Sequence, residues 1–223
     1  MPEWNALAGQ ADDTVPLLET ALLIARDEYP DLDADLYDTL VQSHAEHLRH
    51  EIGTIEPWPL KMAAINRHLF DELGYTGNHD EYYDPRNSYL NQVFERRLGN
   101  PVSLAMVQME VARRLGVPLD GVSFPGHFLV RLPVDDGLLV MDPFNGGRPL
   151  SVDELRERAR SNLGGETPDD NVLFVEQTRI PIGGASIEMP AGLVGDVDVG
   201  GDDFVGHGRR GWLGRGREAS VQL

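Results

Sequence analysis

Three side chains, well separated along the chain, have the types and settings of a catalytic triad. Ser103 lies in the first turn of a predicted apolar helix, His127 opens a predicted strand, and Asp142 ends the next strand. A hydroxyl, an imidazole and a carboxylate in this order can act as nucleophile, base and orienting acid. The sequence contains no cysteine, which excludes thiol catalysis, disulfides and thiolate metal ligands.

The pairing of His127 with Asp142 depends on the length of one turn. A four-residue turn over Pro133–Asp136 would pair Leu132 with Gly137, and counting back then sets His127 opposite Asp142. Directly opposed residues of an antiparallel pair point to the same face, so the carboxylate could fix the tautomer of the imidazole. A five-residue turn would place the aspartate on the other face.

Ser103 has a structural interpretation as well as a catalytic one. Asn100 is a good N-cap and Pro101 suits the first helical position, which predicts a helix from here to Leu115 with Ser103 third in it. Unpaired N–H groups and the positive end of the helix dipole favour a developing negative charge in that turn. A serine there is equally common as a local backbone partner. Both interpretations remain open.

Periodicity and composition divide the sequence into three regions. Residues 1–73 show helical periodicity and predict an N-terminal helical subdomain. Residues 74–180 mix helical and strand patterns, with strands expected over 121–132 and 138–142. Residues 181–223 are rich in glycine and lack a sustained period, which predicts a flexible tail.

Charge and hydropathy narrow the classes of partner. The net charge of −18 disfavours binding to nucleic acid or to an anionic membrane surface. No apolar run approaches the roughly 18 residues that a membrane span needs. The first residues lack the basic flank and apolar stretch of a signal peptide, so we expect a cytoplasmic protein.

Two other polar groups could carry chemistry. His44, His47 and His50 are spaced three apart on a predicted helix, but no nearby cysteine or carboxylate completes an evident metal site, and we predict neither metal nor cofactor. Asp84, Arg86 and Asn87 form a dense polar group before the central helix. They could line a pocket or tie their own loop, and the sequence does not decide between the two.

Several runs of this sequence resemble the SirB-type branch of the transglutaminase-like superfamily. They lie between residues 15 and 160 and follow one another in the order of that branch: Tyr82–Asn91, Arg96–Leu104, Ala112–Gly116, Phe124–Arg131 and Asp142–Gly147. The resemblance implies an α+β fold with a papain-like core, in which a central helix packs on an antiparallel sheet. It also implies that Ser103, His127 and Asp142 occupy the triad positions.

The resemblance also suggests what the site does. Active members of the superfamily carry a cysteine where this chain has Ser103, and SirB-type proteins typically lack that thiol. This implies a non-catalytic module that binds a peptide or protein segment, with a regulatory or scaffolding role. We take Asp84, Arg86, Asn87 and Asn91 as its candidate binding residues. The alternative is a serine-dependent hydrolase or acyltransferase that uses Ser103, His127 and Asp142.

Overall fold

The fold combines seven helices with ten short strands in the part of the chain that the structure describes. This computed structural model describes residues 4–7, 10–11, 14–55, 57–134 and 137–163, and the backbone of four short strands beyond them. The helices are α1 (Trp4–Leu7), α2 (Leu17–Glu28), α3 (Ala34–Ile52), α4 (Trp58–Asn66), α5 (Leu90–Arg96), α6 (Pro101–Arg114) and α7 (Val152–Leu163). The strands are β1 (Thr76–Gly77), β2 (Leu98–Gly99), β3 (Asp120–Phe124), β4 (His127–Val134), β5 (Gly137–Asp142), β6 (Arg148–Pro149), β7 (Phe174–Val175), β8 (Arg179–Ile182), β9 (Ala185–Glu188) and β10 (Leu193–Val194).

Six strands form one antiparallel sheet in the order β10-β7-β3-β4-β5-β6. The predicted strand over residues 121–132 is in fact two strands, because the chain turns back at Gly126, whose φ of +69° suits glycine. The predicted four-residue turn between β4 and β5 is also wrong. Val134 pairs with Gly137, so only two residues separate the paired ends.

Helix α6 packs against one face of this sheet. Its apolar side chains, among them Leu104, Val107 and Val111, meet Val130 and Leu132 of β4 in one buried cluster. A helix that is buried on most sides needs apolar residues around most of its circumference, and ten of its residues are buried. The expectation of a mixed helix-and-sheet fold is therefore confirmed.

Helix α7 covers the opposite face of the sheet. Leu155 and Ala159 of α7 pack against Leu129 of β4 and Val140 of β5 in a second, smaller cluster. Side chains alternate between faces along a strand, so residues with the same parity as these share the α7 face. This alternation places Asp142, two residues after Val140, on the side of α7.

The N-terminal helices share the main core with α6. Leu22 of α2, Val41 and Leu48 of α3, and Ile65 of α4 belong to the same buried cluster as Leu132 of the sheet. The predicted 1–73 subdomain therefore has no separate core among the described residues. The predicted tail, 181–223, lies almost entirely outside those residues, apart from the strand positions given above.

Candidate active site

Ser103 is the third residue of α6, and its hydroxyl belongs to the N-terminal cap. The Asn100 side chain accepts the Ser103 N–H at 2.8 Å, and the Ser103 hydroxyl accepts the Asn100 N–H at 3.0 Å. The same hydroxyl donates its proton to the Asn87 carbonyl at 2.6 Å, and Ser103 is only 2% exposed. Within the described part of the chain, it makes no hydrogen bond to His127.

His127 and Asp142 are brought together at the end of the sheet. His127 Nε2 lies 2.8 Å from Asp142 Oδ1. The register that joins the strands differs by two residues from the predicted one, since Leu132 pairs with Leu139 instead of Gly137. A slip of two residues preserves the face of every side chain, so the contact forms diagonally instead of directly across the ladder.

Asp142 is fully buried and is surrounded by donors. Its Oδ2 accepts from Arg158 of α7 at 2.8 Å and from Asn145 at 2.7 Å, while Oδ1 faces His127. Burial alone would raise the pKa of Asp142, but these hydrogen bonds outweigh it and hold the pKa below its ordinary value of 3.8. The ionised carboxylate then requires the proton on His127 Nε2, which leaves Nδ1 as the basic nitrogen of the neutral ring.

Sequence reasoning missed Arg158 and Asn145. Asn145 follows Asp142 by three residues in the Pro143–Asn145 turn, so its proximity was a local signal that could have been used. Arg158 lies in α7, and its contact with Asp142 depends on how that helix crosses the sheet. Only the packed structure places the guanidinium on the carboxylate.

A cleft of about 440 Å³ opens beside His127. Three segments form its walls: the loop before α5, the first turn of α6, and the turn between β3 and β4. They contribute Tyr82, Tyr83, Asp84, Pro85, Ser88, Asn100, Pro101, Val102, Ser123, Gly126, His127 and Phe128. Pro101 and Val102 of α6 line this wall, whereas Ser103 does not line the cleft.

Most of the predicted binding residues hold the loop in place. Asp84 accepts the Arg86 side chain and also Arg96 at 3.2 Å, and the hydrogen bond from Arg86 lowers the pKa of Asp84. Asn87 is 1% exposed, and its amide donates to two carbonyls of the same loop. Asn91 is 3% exposed, and its buried Oδ1 has no hydrogen-bond partner among the described residues. Of these four, only Asp84 lines the cleft.

A second cluster of titratable side chains lies among the N-terminal helices. His47 of α3 lies beside His68 and Glu72, which belong to a six-residue π-helical turn, Arg67–Glu72, that continues α4. The three side chains could hold a metal ion, and His50 is not among them. Sequence reasoning considered His47 but missed the other two, because the packing of two helices brings them together.

Comparison of the sequence with known protein families identifies the class of protein to which this fold and cleft belong. Residues 35–180 match the sequence model of the Transglutaminase-like superfamily, which is well over half of the chain. The chain belongs to this superfamily. None of the helices in the described residues has the length and hydropathy to cross a membrane.

Individual relatives are similar over different lengths. A UPF0162 protein of Xylella fastidiosa is 78% identical over 173 residues, which cover 78% of this chain and 62% of the relative. The chain thus spans about three fifths of that curated relative. A UPF0162 protein of Pseudomonas aeruginosa is 49% identical over 82 residues, and F-box only protein 21 of Mus musculus is 42% identical over 100 residues, 16% of its length. A solved structure from Parabacteroides distasonis has 13% identity and a TM-score of 0.32 over 61% of this chain and 31% of its own, which is too low to establish a common fold.

Proposed function

We propose that this chain is a SirB-type member of the superfamily that binds a peptide or protein segment in its cleft and performs no acyl transfer there. The observation that carries the proposal is the position of the Ser103 hydroxyl. It is buried and donates to the Asn87 carbonyl at 2.6 Å instead of facing His127. A serine hydroxyl needs a base within hydrogen-bond reach to act as a nucleophile.

The walls of the cleft suit a peptide. Tyr83 is 92% exposed and Tyr82 is 42% exposed, and both border the cleft beside the imidazole of His127. Exposed tyrosines at a concave site provide apolar contact area together with a polar tip, as is typical of protein-binding surfaces. The strongly negative net charge favours a neutral or basic segment.

The comparisons add support for a module that works inside larger proteins. The region similar to F-box only protein 21 makes up 16% of that protein. The proposed setting is cytoplasmic, without a membrane or nucleic-acid partner.

Binding is tested by selecting peptides from a displayed random library on the immobilised chain and measuring their affinity by fluorescence polarisation. We expect Tyr83→Ala and His127→Gln to weaken the selected peptides at least about tenfold, because both side chains border the cleft. Leu60→Ala is the matched control, because Leu60 is a 58% exposed apolar residue of α4 outside the cleft. Failure to enrich any peptide, or equal binding by all variants, would contradict the proposal.

The alternative is a serine-dependent hydrolase or acyltransferase, and the contact between His127 and Asp142 is the observation that favours it. For this activity, Ser103 must leave the Asn87 carbonyl and turn toward the imidazole. Labelling with a serine-reactive fluorophosphonate probe compares the unchanged chain with Ser103→Ala. The binding proposal predicts no adduct that depends on Ser103, and such an adduct would establish the alternative.

A further inference from the structure

Two imidazoles and one carboxylate converge between α3 and the π-helical turn Arg67–Glu72. The ligand atoms of His47, His68 and Glu72 all lie within 4.8 Å of one another, and His68 Nδ1 is 2.9 Å from Glu72 Oε2. The ring of His47 stacks on that of His68 with a centroid distance of 4.8 Å. The cluster is separate in sequence and position from the residues that line the cleft.

We propose that His47, His68 and Glu72 bind a zinc ion. Tetrahedral coordination with bonds of about 2.0 Å separates neighbouring ligand atoms by about 3.3 Å. His68 Nδ1 and Glu72 Oε2 are already close to that separation. His47 is exposed, so its ring can turn to bring a nitrogen into the third position, and water completes the fourth.

The surrounding contacts hold both inner ligands in orientation. His68 Nε2 faces His44 Nδ1 at 3.4 Å, so the distal nitrogen of His68 has a partner while Nδ1 points to the site. The other oxygen of Glu72, Oε1, accepts from Arg67 Nε at 3.1 Å. Metal-binding histidines and carboxylates are commonly oriented by partners of this kind on their distal atoms.

The donor set selects the type of ion. Two imidazoles with one carboxylate suit zinc and similar first-row divalent ions, whereas calcium and magnesium prefer sites made of oxygen ligands alone. Bound zinc would replace the proton shared by His68 and Glu72 and would connect α3 to the segment after α4. Because the unfolded chain does not hold these ligands together, zinc binding adds to the stability of the folded state.

The test is titration of tag-free, metal-stripped protein with zinc chloride. Isothermal titration calorimetry measures the affinity and the number of ions bound, and thermal unfolding measures the change in melting temperature. We expect one ion per chain and a rise in the melting temperature with zinc. His47→Gln and Glu72→Gln change exposed side chains and are each expected to weaken zinc binding at least about tenfold. His68 is 6% exposed and is left intact, so that a loss of binding is not a loss of fold.

His50→Gln is the matched control, because His50 is an exposed histidine of the same helix outside the cluster. It should bind zinc like the unchanged chain. Circular dichroism verifies that all three variants are folded. The proposal is overturned if zinc does not bind in a saturable way, or if His47→Gln and Glu72→Gln bind it as tightly as His50→Gln.

Discussion

At the scale of single residues, the imidazole of His127 contacts the carboxylate of Asp142, while the Ser103 hydroxyl makes its hydrogen bonds elsewhere. A buried carboxylate is unfavourable unless it is paired, and Asp142 is paired with His127, Arg158 and Asn145. This arrangement holds the imidazole at the cleft with Nδ1 available. The hydroxyl of Ser103 is buried and takes part in the capping box at the start of α6.

Introduced thiols can test which residue of α6 faces His127. The chain has no cysteine, so each substitution creates a single thiol. We expect Val102→Cys to react with iodoacetamide at least about tenfold faster than Ser103→Cys, because Val102 lines the cleft with His127 while Ser103 is buried. Adding His127→Gln to Val102→Cys should slow the reaction. Equal rates for the two thiols would show that Ser103 also faces the cleft.

The charge on Asp142 predicts a pH-dependent contribution to stability. Its pKa in the folded state is lowered, so the contribution is complete above the ordinary value of 3.8 and is lost as the pH falls below it. Asp142→Asn is therefore expected to lower the free energy of unfolding by about 3 kcal/mol at pH 7 and by about 1 kcal/mol less near pH 3, where the unfolded carboxyl is already mostly protonated and the folded one is not. Urea denaturation at both pH values measures the difference.

Asp120→Asn provides the control for this substitution. Asp120 lies in β3 of the same sheet, and its side chain is 55% exposed beside Arg131. An exposed pair of this kind contributes between zero and about 1 kcal/mol, so the control should change little at either pH. A deficit for Asp142→Asn that is the same at pH 3 and pH 7 would count against an ionised, donor-held carboxylate.

At the scale of elements, the start of α6 depends on a close approach of backbone to side chains. A Cβ added to Gly99 would lie 2.6 Å from Ser103 Oγ and 2.9 Å from Leu104 Cγ. We expect Gly99→Ala to lower the free energy of unfolding by about 1–3 kcal/mol, because neither neighbour has room to move in the packed core. Chemical denaturation provides the measurement.

A double-mutant cycle separates this crowding from a general effect of the substitution. Ser103→Ala alone removes the hydroxyl's half of the capping box and its buried hydrogen bond to the Asn87 carbonyl, and it should lower stability by about 1–2 kcal/mol. In the Gly99→Ala background the same change also removes the crowded oxygen, so its effect should be smaller. Strict additivity would mean that the added methyl group does not press on Ser103.

The elements also show which features could be predicted from the sequence. The start of α6 was predicted correctly because Asn100 and Pro101 act within one turn, and the helix begins at Pro101 as expected. The hairpin register was wrong by two residues, because turn length depends on backbone geometry that residue types only suggest. His127 and Asp142 still make contact, because a register error of two residues leaves both side chains on the same face of the sheet.

Contacts between distant elements could not be predicted. Arg158 contacts Asp142 from α7, and Glu72 comes close to His47 of α3 only after α4 has packed against that helix. Nothing in the spacing of these residues signals their approach. The capping role of Ser103 was visible as one of two interpretations, and only the position of Asn87 shows where its hydroxyl points.

At the scale of the whole molecule, one buried cluster connects the helical N-terminal region with the sheet. Leu48 of α3 and Leu132 of β4 are both fully buried in it. We expect Leu48→Ala and Leu132→Ala to destabilise the same unfolding transition by about 2–5 kcal/mol each. Far-UV circular dichroism during urea denaturation measures that transition. Two transitions, with Leu48→Ala moving only one of them, would instead indicate an independent helical subdomain.

The hydrogen bonds of Asn87 have a consequence for how the cleft opens. Its carbonyl accepts from Ser103 and from the Asn100 N–H, and its side chain donates to the carbonyls of Glu81 and Tyr82. We therefore expect the loop before α5 and the first turn of α6 to open together. In deuterium exchange, the amides of Asn87, Asn100 and Ser103 should share one opening free energy below that of global unfolding, and a ligand in the cleft should slow all three together.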